Sequence, residues 1–130
     1  MIANSRVMIG LGNPFLSPTP YEALCLGIPF INPFRRLDKN DPNNKSGWFG
    51  QHDALIHGGL DEPHVYHVEV GDREGFRAAL RKAMSTPIER YIPPHMRSSA
   101  FLGRMKTLLE TDWRPIAKKQ MQIVGYKYNS

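Results

Sequence analysis

The sequence predicts an α/β fold, a parallel sheet flanked by helices, and three observations carry that prediction. Short apolar runs alternate with segments of helical period, in the order strand, helix, strand, long loop, short helix, strand, helix, helix. A Gly/Pro-rich loop at residues 12–20 separates the first strand from its helix. His64–Val70 alternates, with Tyr66, Val68 and Val70 on one face and His67 and Glu69 on the other. Three strands are few, and no helix precedes the first. The order reads as the second half of a doubly wound domain.

Each element has a local reason. Val7-Met8-Ile9 is a short apolar run ended by Gly10, predicted as a central strand covered on both faces. Pro14, Pro18 and Pro20 stiffen the loop that follows. Thr19 is the predicted N-cap of a helix over Tyr21–Leu26, with Gly27 as its left-handed stop. Ile28–Ile31 is the second strand, with Pro29 at its start. Residues 32–50, NPFRRLDKNDPNNKSGWFG, offer little to bury and read as a long surface loop whose far end Trp48 and Phe49 tie down.

A short helix with Ala54 and Leu55 ends at Gly58-Gly59. Asp72 caps the next helix, which turns Phe76, Ala79, Leu80, Ala83 and Met84 inward and stops before Pro87. The last helix runs from about 94–97 to Thr111, with Phe101, Met105, Leu108 and Leu109 on one side. Residues 113–130 read as a basic tail in which Ile123-Val124 forms an edge strand.

Charge and composition narrow the function classes. The 17 basic and 12 acidic residues leave a net charge of +5. The basic groups are scattered over several elements, so they form no one-sided nucleic-acid face; surface charge plus one anionic small-molecule site fits better. No apolar run approaches the length of a membrane span. The single cysteine, Cys25, excludes an intrachain disulfide and a cysteine zinc cluster and reads as a small buried hydrophobe. His52, His57, His64, His67 and His95 have no metal-ligand spacing, and no nucleophile elbow or general base can be placed. No residue is assigned a catalytic role.

Residues 10–19 are expected beyond the carboxyl end of the first strand, where ligands of open α/β sheets bind. With a helix start behind them, they read either as a phosphate cradle offering unpaired N–H groups or as a structural turn. The run is neither a P-loop nor a dinucleotide fingerprint, because Phe15 stands where the third glycine belongs. Glu22, on the first helical turn, either accepts hydrogen bonds from a vicinal diol or only complements the helix dipole.

The run GLGNPFLSPTPYEALCLGIPFINP, residues 10–33, resembles the donor-site segment of the α-1,6-mannosylglycoprotein 6-β-N-acetylglucosaminyltransferases, glycosyltransferase family 18. Gly10-Leu11-Gly12, Pro18-Thr19-Pro20, Glu22-Ala23, Gly27 and Phe30-Ile31-Asn32-Pro33 carry the match, and Pro63-His64-Val65-Tyr66 and Ile88-Glu89 with Tyr91 and Pro93 extend it. The resemblance implies the Rossmann-like C-terminal domain of a GT-B enzyme, here partial and spanning 7–112. It implies an inverting, metal-independent transfer of GlcNAc from UDP-GlcNAc to the 6-OH of an α-mannose in N-glycans, with no cofactor. Ser17, Pro18, Thr19 and Pro20 would lie by the diphosphate and Glu22 would hold the ribose hydroxyls.

The acceptor glycan and the catalytic base would belong to an N-terminal domain outside this chain, and the full-length family resides in the Golgi membrane. The isolated chain is therefore expected to be inactive, with part of its sheet edge and inner helix faces exposed. Arg35, Arg36, Lys39 and Lys45 are the candidates for the basic diphosphate contact. Residues 13–17 and Tyr21 depart from the family pattern. A non-catalytic nucleotide-sugar or phosphoanion-binding module is the alternative reading.

Overall fold

The computed structural model describes residues 4–125. These fall into two compact units divided between Ile92 and Pro93. The first unit contains strand β1 (Met8–Ile9), helix α1 (Thr19–Cys25), strand β2 (Phe30–Arg36), strand β3 (Trp48–Gly50), helix α2 (Asp53–His57), strand β4 (Val65–Glu69) and helix α3 (Arg73–Ser85). The α/β class is as expected, but the sheet is mixed and has four strands.

β2 is its centre. β4 runs parallel along one edge, from Phe30↔Val65 to Phe34↔Glu69. The other edge is shared end to end, β1 pairing parallel at Phe30 and Ile31 and β3 antiparallel at Phe34–Arg36. The strand predicted as central, β1, is therefore an outer strand, and Ile9 is 38% exposed. β2 also runs into the stretch expected to be loop. Phe34 is buried there and Trp48 stacks on it at 4.0 Å, so aromatic packing extends the strand and draws β3 back against it.

Pleating sends alternate side chains of β2 and β4 to opposite faces. Leu24, Phe30, Leu55 and Val65 form one buried cluster, which Tyr21, Ile88 and Tyr91 flank. Ile31, Tyr66, Val68 and Ala83 form the other, closed by Phe76, Ala79 and Leu80 of α3. Each large apolar side chain so buried contributes about 1.5–3 kcal/mol. Met84, expected inside, is 47% exposed, because at 100° per residue it is turned well away from Ala83. Asp72 caps α3 as expected, its Oδ1 accepting from the Gly75 N–H at 2.8 Å. Cys25, expected to be buried, is only half-buried.

At α1 the cap differs. Pro18 occupies the N-cap position and Thr19 is already helical. Ser17 supplies the side-chain bond instead, accepting from the Thr19 N–H at 3.3 Å. The helix stops where expected. Gly27 has φ of +77°, and a Cβ there would lie 2.9 Å from the Ile88 carbonyl. Gly27→Ala is therefore expected to lower the unfolding free energy by about 1–2 kcal/mol from the left-handed conformation alone, before the close contact adds to it. Urea denaturation checks this, and a loss under about 0.5 kcal/mol would show that the turn can rearrange freely.

The second unit holds a 3₁₀ turn (Pro94–Met96), helix α4 (Ser98–Glu110) and helix α5 (Trp113–Val124). The expected tail is thus helical through most of the described part, and Ile123-Val124 ends a helix instead of forming an edge strand. Trp113, Ile116, Ala117, Met121 and Val124 recur at helical spacing, and the Asp112 Oδ1 accepts from the Arg114 N–H at 3.1 Å. Residues 126–130 of that tail lie outside the described residues. On α4, Phe101, Leu108 and Leu109 are more than half exposed.

Candidate functional site

The parallel strands β1, β2 and β4 end on one side of the sheet, and a cavity of about 700 Å³ opens there. Ile9, Phe15, Phe34, Phe49, Val68 and Phe76 make its apolar wall. Arg35, Arg73 and Arg77, all exposed, also line it. Of these, Arg77 is paired with Glu74 at 2.7 Å. Among the described residues Arg35 and Arg73 have no ion-pair partner. Arg36 is paired with Glu69 and Lys45 with Asp61. Of the four sequence candidates for an anion contact, Arg35 is the one that is both on the cavity and uncommitted.

The loop from Gly10 to α1 borders this cavity at Gly10–Gly12 and Phe15. Its anchor is the dipeptide that follows β3. The Gly12 N–H donates to the Gln51 Oε1 at 2.9 Å, and the Leu16 N–H to the Gln51 carbonyl at 3.1 Å. His52 Nε2 lies 3.1 Å from the Ser17 carbonyl, and Tyr21 meets the His52 ring edge-on at 5.0 Å. Gly10 must be glycine here, since a Cβ would strike the Gln51 amide oxygen and the Pro33 ring. Phe15 packs on Phe49 with ring centres 5.4 Å apart.

Beneath the loop sits a buried polar cluster. Asn32, fully buried, accepts from the His52 N–H at 3.1 Å through Oδ1. Its Nδ2 donates to the His52 carbonyl and reaches His67 Nδ1, each at 3.3 Å. An amide nitrogen only donates, so His67 Nδ1 must be the acceptor and its proton sits on Nε2, which faces the Leu60 carbonyl at 3.0 Å. His52 follows the same logic: its Nε2–H donates to Ser17, and its buried Nδ1 has no partner among the described residues. Burial lowers the pKa of both rings; the Ser17 carbonyl and Asp53 oppose this at His52, and the Leu60 carbonyl and Asp61 oppose it at His67. Both are held neutral.

The predicted site residues come together at the start of α1. Ser17 and Thr19 are half-buried with their hydroxyl oxygens 2.9 Å apart; Pro18 is exposed, Pro20 is buried, and Glu22 stands exposed in the first turn. None of the five lines the cavity wall, which meets the same loop at its other end. At the helix start itself, three of the N–H groups expected to be unpaired are engaged. The Thr19 N–H goes to Ser17, and the Tyr21 and Glu22 N–H groups both go to the Pro18 carbonyl. The side chains of this stretch offer a ligand two hydroxyls and a carboxylate. Sequence reasoning gave Asn32 and Gln51 no site role beyond the resemblance, and for His52 it weighed reach toward a ligand against a local hydrogen bond. An asparagine inside the apolar run Phe30-Ile31 was the available signal for a buried polar contact.

Among the described residues no group of three metal-ligating side chains converges, and no helix is long and apolar enough to cross a membrane. The chain is similar to known enzymes over most of its length. The α-1,6-mannosylglycoprotein 6-β-N-acetylglucosaminyltransferase A of Rattus norvegicus is 24% identical over 141 residues, covering 95% of this chain and 19% of its own. That of Caenorhabditis elegans is 28% identical over 118 residues, covering 85% and 17%. The Homo sapiens B enzyme is 25% identical over 119 residues, covering 85% and 15%. The chain thus spans under a fifth of the length of these curated relatives. The model of glycosyltransferase family 18 matches residues 1–122, and the chain belongs to that family.

Proposed function

We propose that this chain is the donor-binding part of an inverting N-acetylglucosaminyltransferase that moves GlcNAc from UDP-GlcNAc to the 6-OH of an α-mannose in N-glycans. In this reading it is part of the Rossmann-like C-terminal domain of a GT-B enzyme of the Golgi membrane. One observation carries the reading: the loop that resembles the family's donor segment lies at the carboxyl ends of three parallel strands, beside a cavity with uncommitted arginines.

Each group then has a task. Glu22 accepts hydrogen bonds from the ribose diol, which an exposed carboxylate can do bidentately. Ser17 and Thr19 place hydroxyls at the diphosphate, between Pro18 and Pro20, which hold the backbone before binding. Arg35 offsets the charge that develops as UDP departs. Inversion needs a base on the face opposite UDP, and that base and the acceptor glycan come from an N-terminal domain.

Calorimetric titration with UDP-GlcNAc tests the assignment. Glu22→Ala is expected to weaken binding about 10–100-fold, the loss of a hydrogen bond to a charged group. Arg35→Ala is expected to cost roughly tenfold and to flatten the salt dependence of binding. Folding should change little, since an exposed first-turn carboxylate contributes only about 0.3–1 kcal/mol through the helix dipole. Unchanged affinity in Glu22→Ala would remove the ribose role. GlcNAc transfer by the purified 130-residue chain would overturn the division of labour between domains.

A further inference from the structure

We propose that Gln51 and His52 are positioning residues, a clasp that sets the donor loop in its binding conformation before any ligand arrives. The proposal rests on the donor reading above and adds to it residues that touch no ligand themselves.

The contacts are directional and concentrated. Within two consecutive residues, the chain after β3 takes the N–H of Gly12 on a side-chain oxygen and the N–H of Leu16 on a carbonyl, and it gives a ring N–H to the carbonyl of Ser17. The clasp therefore grips the loop at its beginning and at its end. Its far side is fixed in turn. The Gln51 N–H donates to the Pro33 carbonyl at 2.9 Å, and Asn32 brackets the His52 peptide through both its N–H and its C=O. A central strand is the most rigid part of a sheet, so the loop inherits its position from β2 through two residues.

What the clasp positions is the group set assigned to the donor. Ser17, held by its carbonyl, carries the hydroxyl that meets Thr19 and accepts the Thr19 N–H. Tyr21, on the first turn with Glu22, rests against the His52 ring. His52 is 2% exposed and donates only through Nε2, so its side chain has no other hydrogen-bond role among the described residues. A histidine needed only to fill space would not carry a buried, unpartnered Nδ1, because an apolar side chain does that without the desolvation cost.

Two His52 variants separate positioning from filling. His52→Leu keeps bulk and loses the donor, whereas His52→Gln keeps an N–H donor near the position of Nε2. Amide hydrogen exchange on the ligand-free 130-residue chain is the first readout, and calorimetry with UDP-GlcNAc the second. His52→Leu is expected to speed exchange across residues 12–22 about 10–100-fold and to weaken UDP-GlcNAc about tenfold, with β4 and α3 unchanged. His52→Gln is expected to stay within about threefold of the parent in both.

Should His52→Leu fail to fold, Gln51→Met, which removes only the Gly12 contact, is expected to speed exchange at Gly12 and its neighbours. Equal loop exchange in the parent and in whichever variant folds would overturn the clasp. Failure of the glutamine to restore what leucine loses would overturn it too. If the parent chain takes up no UDP-GlcNAc, the donor reading fails instead, and the exchange comparison still decides whether Gln51 and His52 set the loop.

Discussion

Asn32→Ala is expected to lower the unfolding free energy by about 3–5 kcal/mol, a large part of the roughly 5–15 kcal/mol a domain possesses. The side chain is fully buried at the centre of β2 and serves three partners: the N–H and C=O of His52 and the Nδ1 of His67. Truncation leaves the His52 N–H and the His67 Nδ1 without the Asn32 partner, while the His52 carbonyl keeps its bond from the Leu55 N–H at 3.1 Å, and it opens a cavity besides. Asn32→Leu fills the cavity but orphans the same groups, so it is expected to lose nearly as much. Wild-type-like stability of the leucine variant in urea would show that only volume matters at this position.

Asn32→Asp gives a sharper result. The carboxylate still accepts from the His52 N–H but cannot donate to His67 Nδ1, and it favours a protonated ring beside it. The aspartate variant should therefore recover stability as pH falls toward 6. The parent should lose it.

Much of the fold was legible because local signals agreed with the tertiary outcome. Asp72, the stripe from Phe76 to Ala83 and Pro87 each point to the same helix, and α3 is that helix. The alternation through Val65–Glu69 announced a strand, and the structure buries Val65 on one of its faces and Tyr66 and Val68 on the other. β2 was only half legible, since Pro33 argues for a strand end. A strand residue points its N–H and C=O to one edge, and the Pro33 carbonyl accepts from Gln51. The missing N–H of Pro33 thus falls where β1 has left the edge and β3 has not yet arrived, so nothing is unsatisfied.

The site divided the same way. Ser17 to Glu22 lie within six residues and share a motif, so their association could be read directly. The cavity draws its wall from stretches around Ile9, Phe34, Phe49, Val68 and Phe76, joined only by the topology of the sheet. No spacing rule reaches across such distances. Thr19 was misplaced by one position because Pro18 takes a helical conformation, with φ of −67° and ψ of −18°, and starts the turn early.

Acidification from pH 7.5 to 5.5 is expected to destabilise the parent chain through its buried and half-buried histidines. His52, His64 and His67 all have pKa values pushed below the ordinary 6.5 by burial. Below that value the unfolded chain binds protons that the folded chain refuses, so the unfolding free energy rises with pH. The stability is fully present above about pH 7 and drains away as the pH falls through the lowered folded values. Each extra proton bound by the unfolded chain costs at most about 1.4 kcal/mol per pH unit. The structural cause is clearest at His67, where a proton on Nδ1 would point at the Asn32 amide donor and break that contact. Asp61, with its Oδ1 3.5 Å from Nε2, softens the loss without reversing it, because burial is the larger influence. Urea midpoints at pH 7.5, 6.5 and 5.5 measure the slope, and His67→Gln should reduce it. A flat profile, or a midpoint that rises on acidification, would mean that the histidines are charged in the folded chain and that the neutral Asn32–His52–His67 cluster is misassigned.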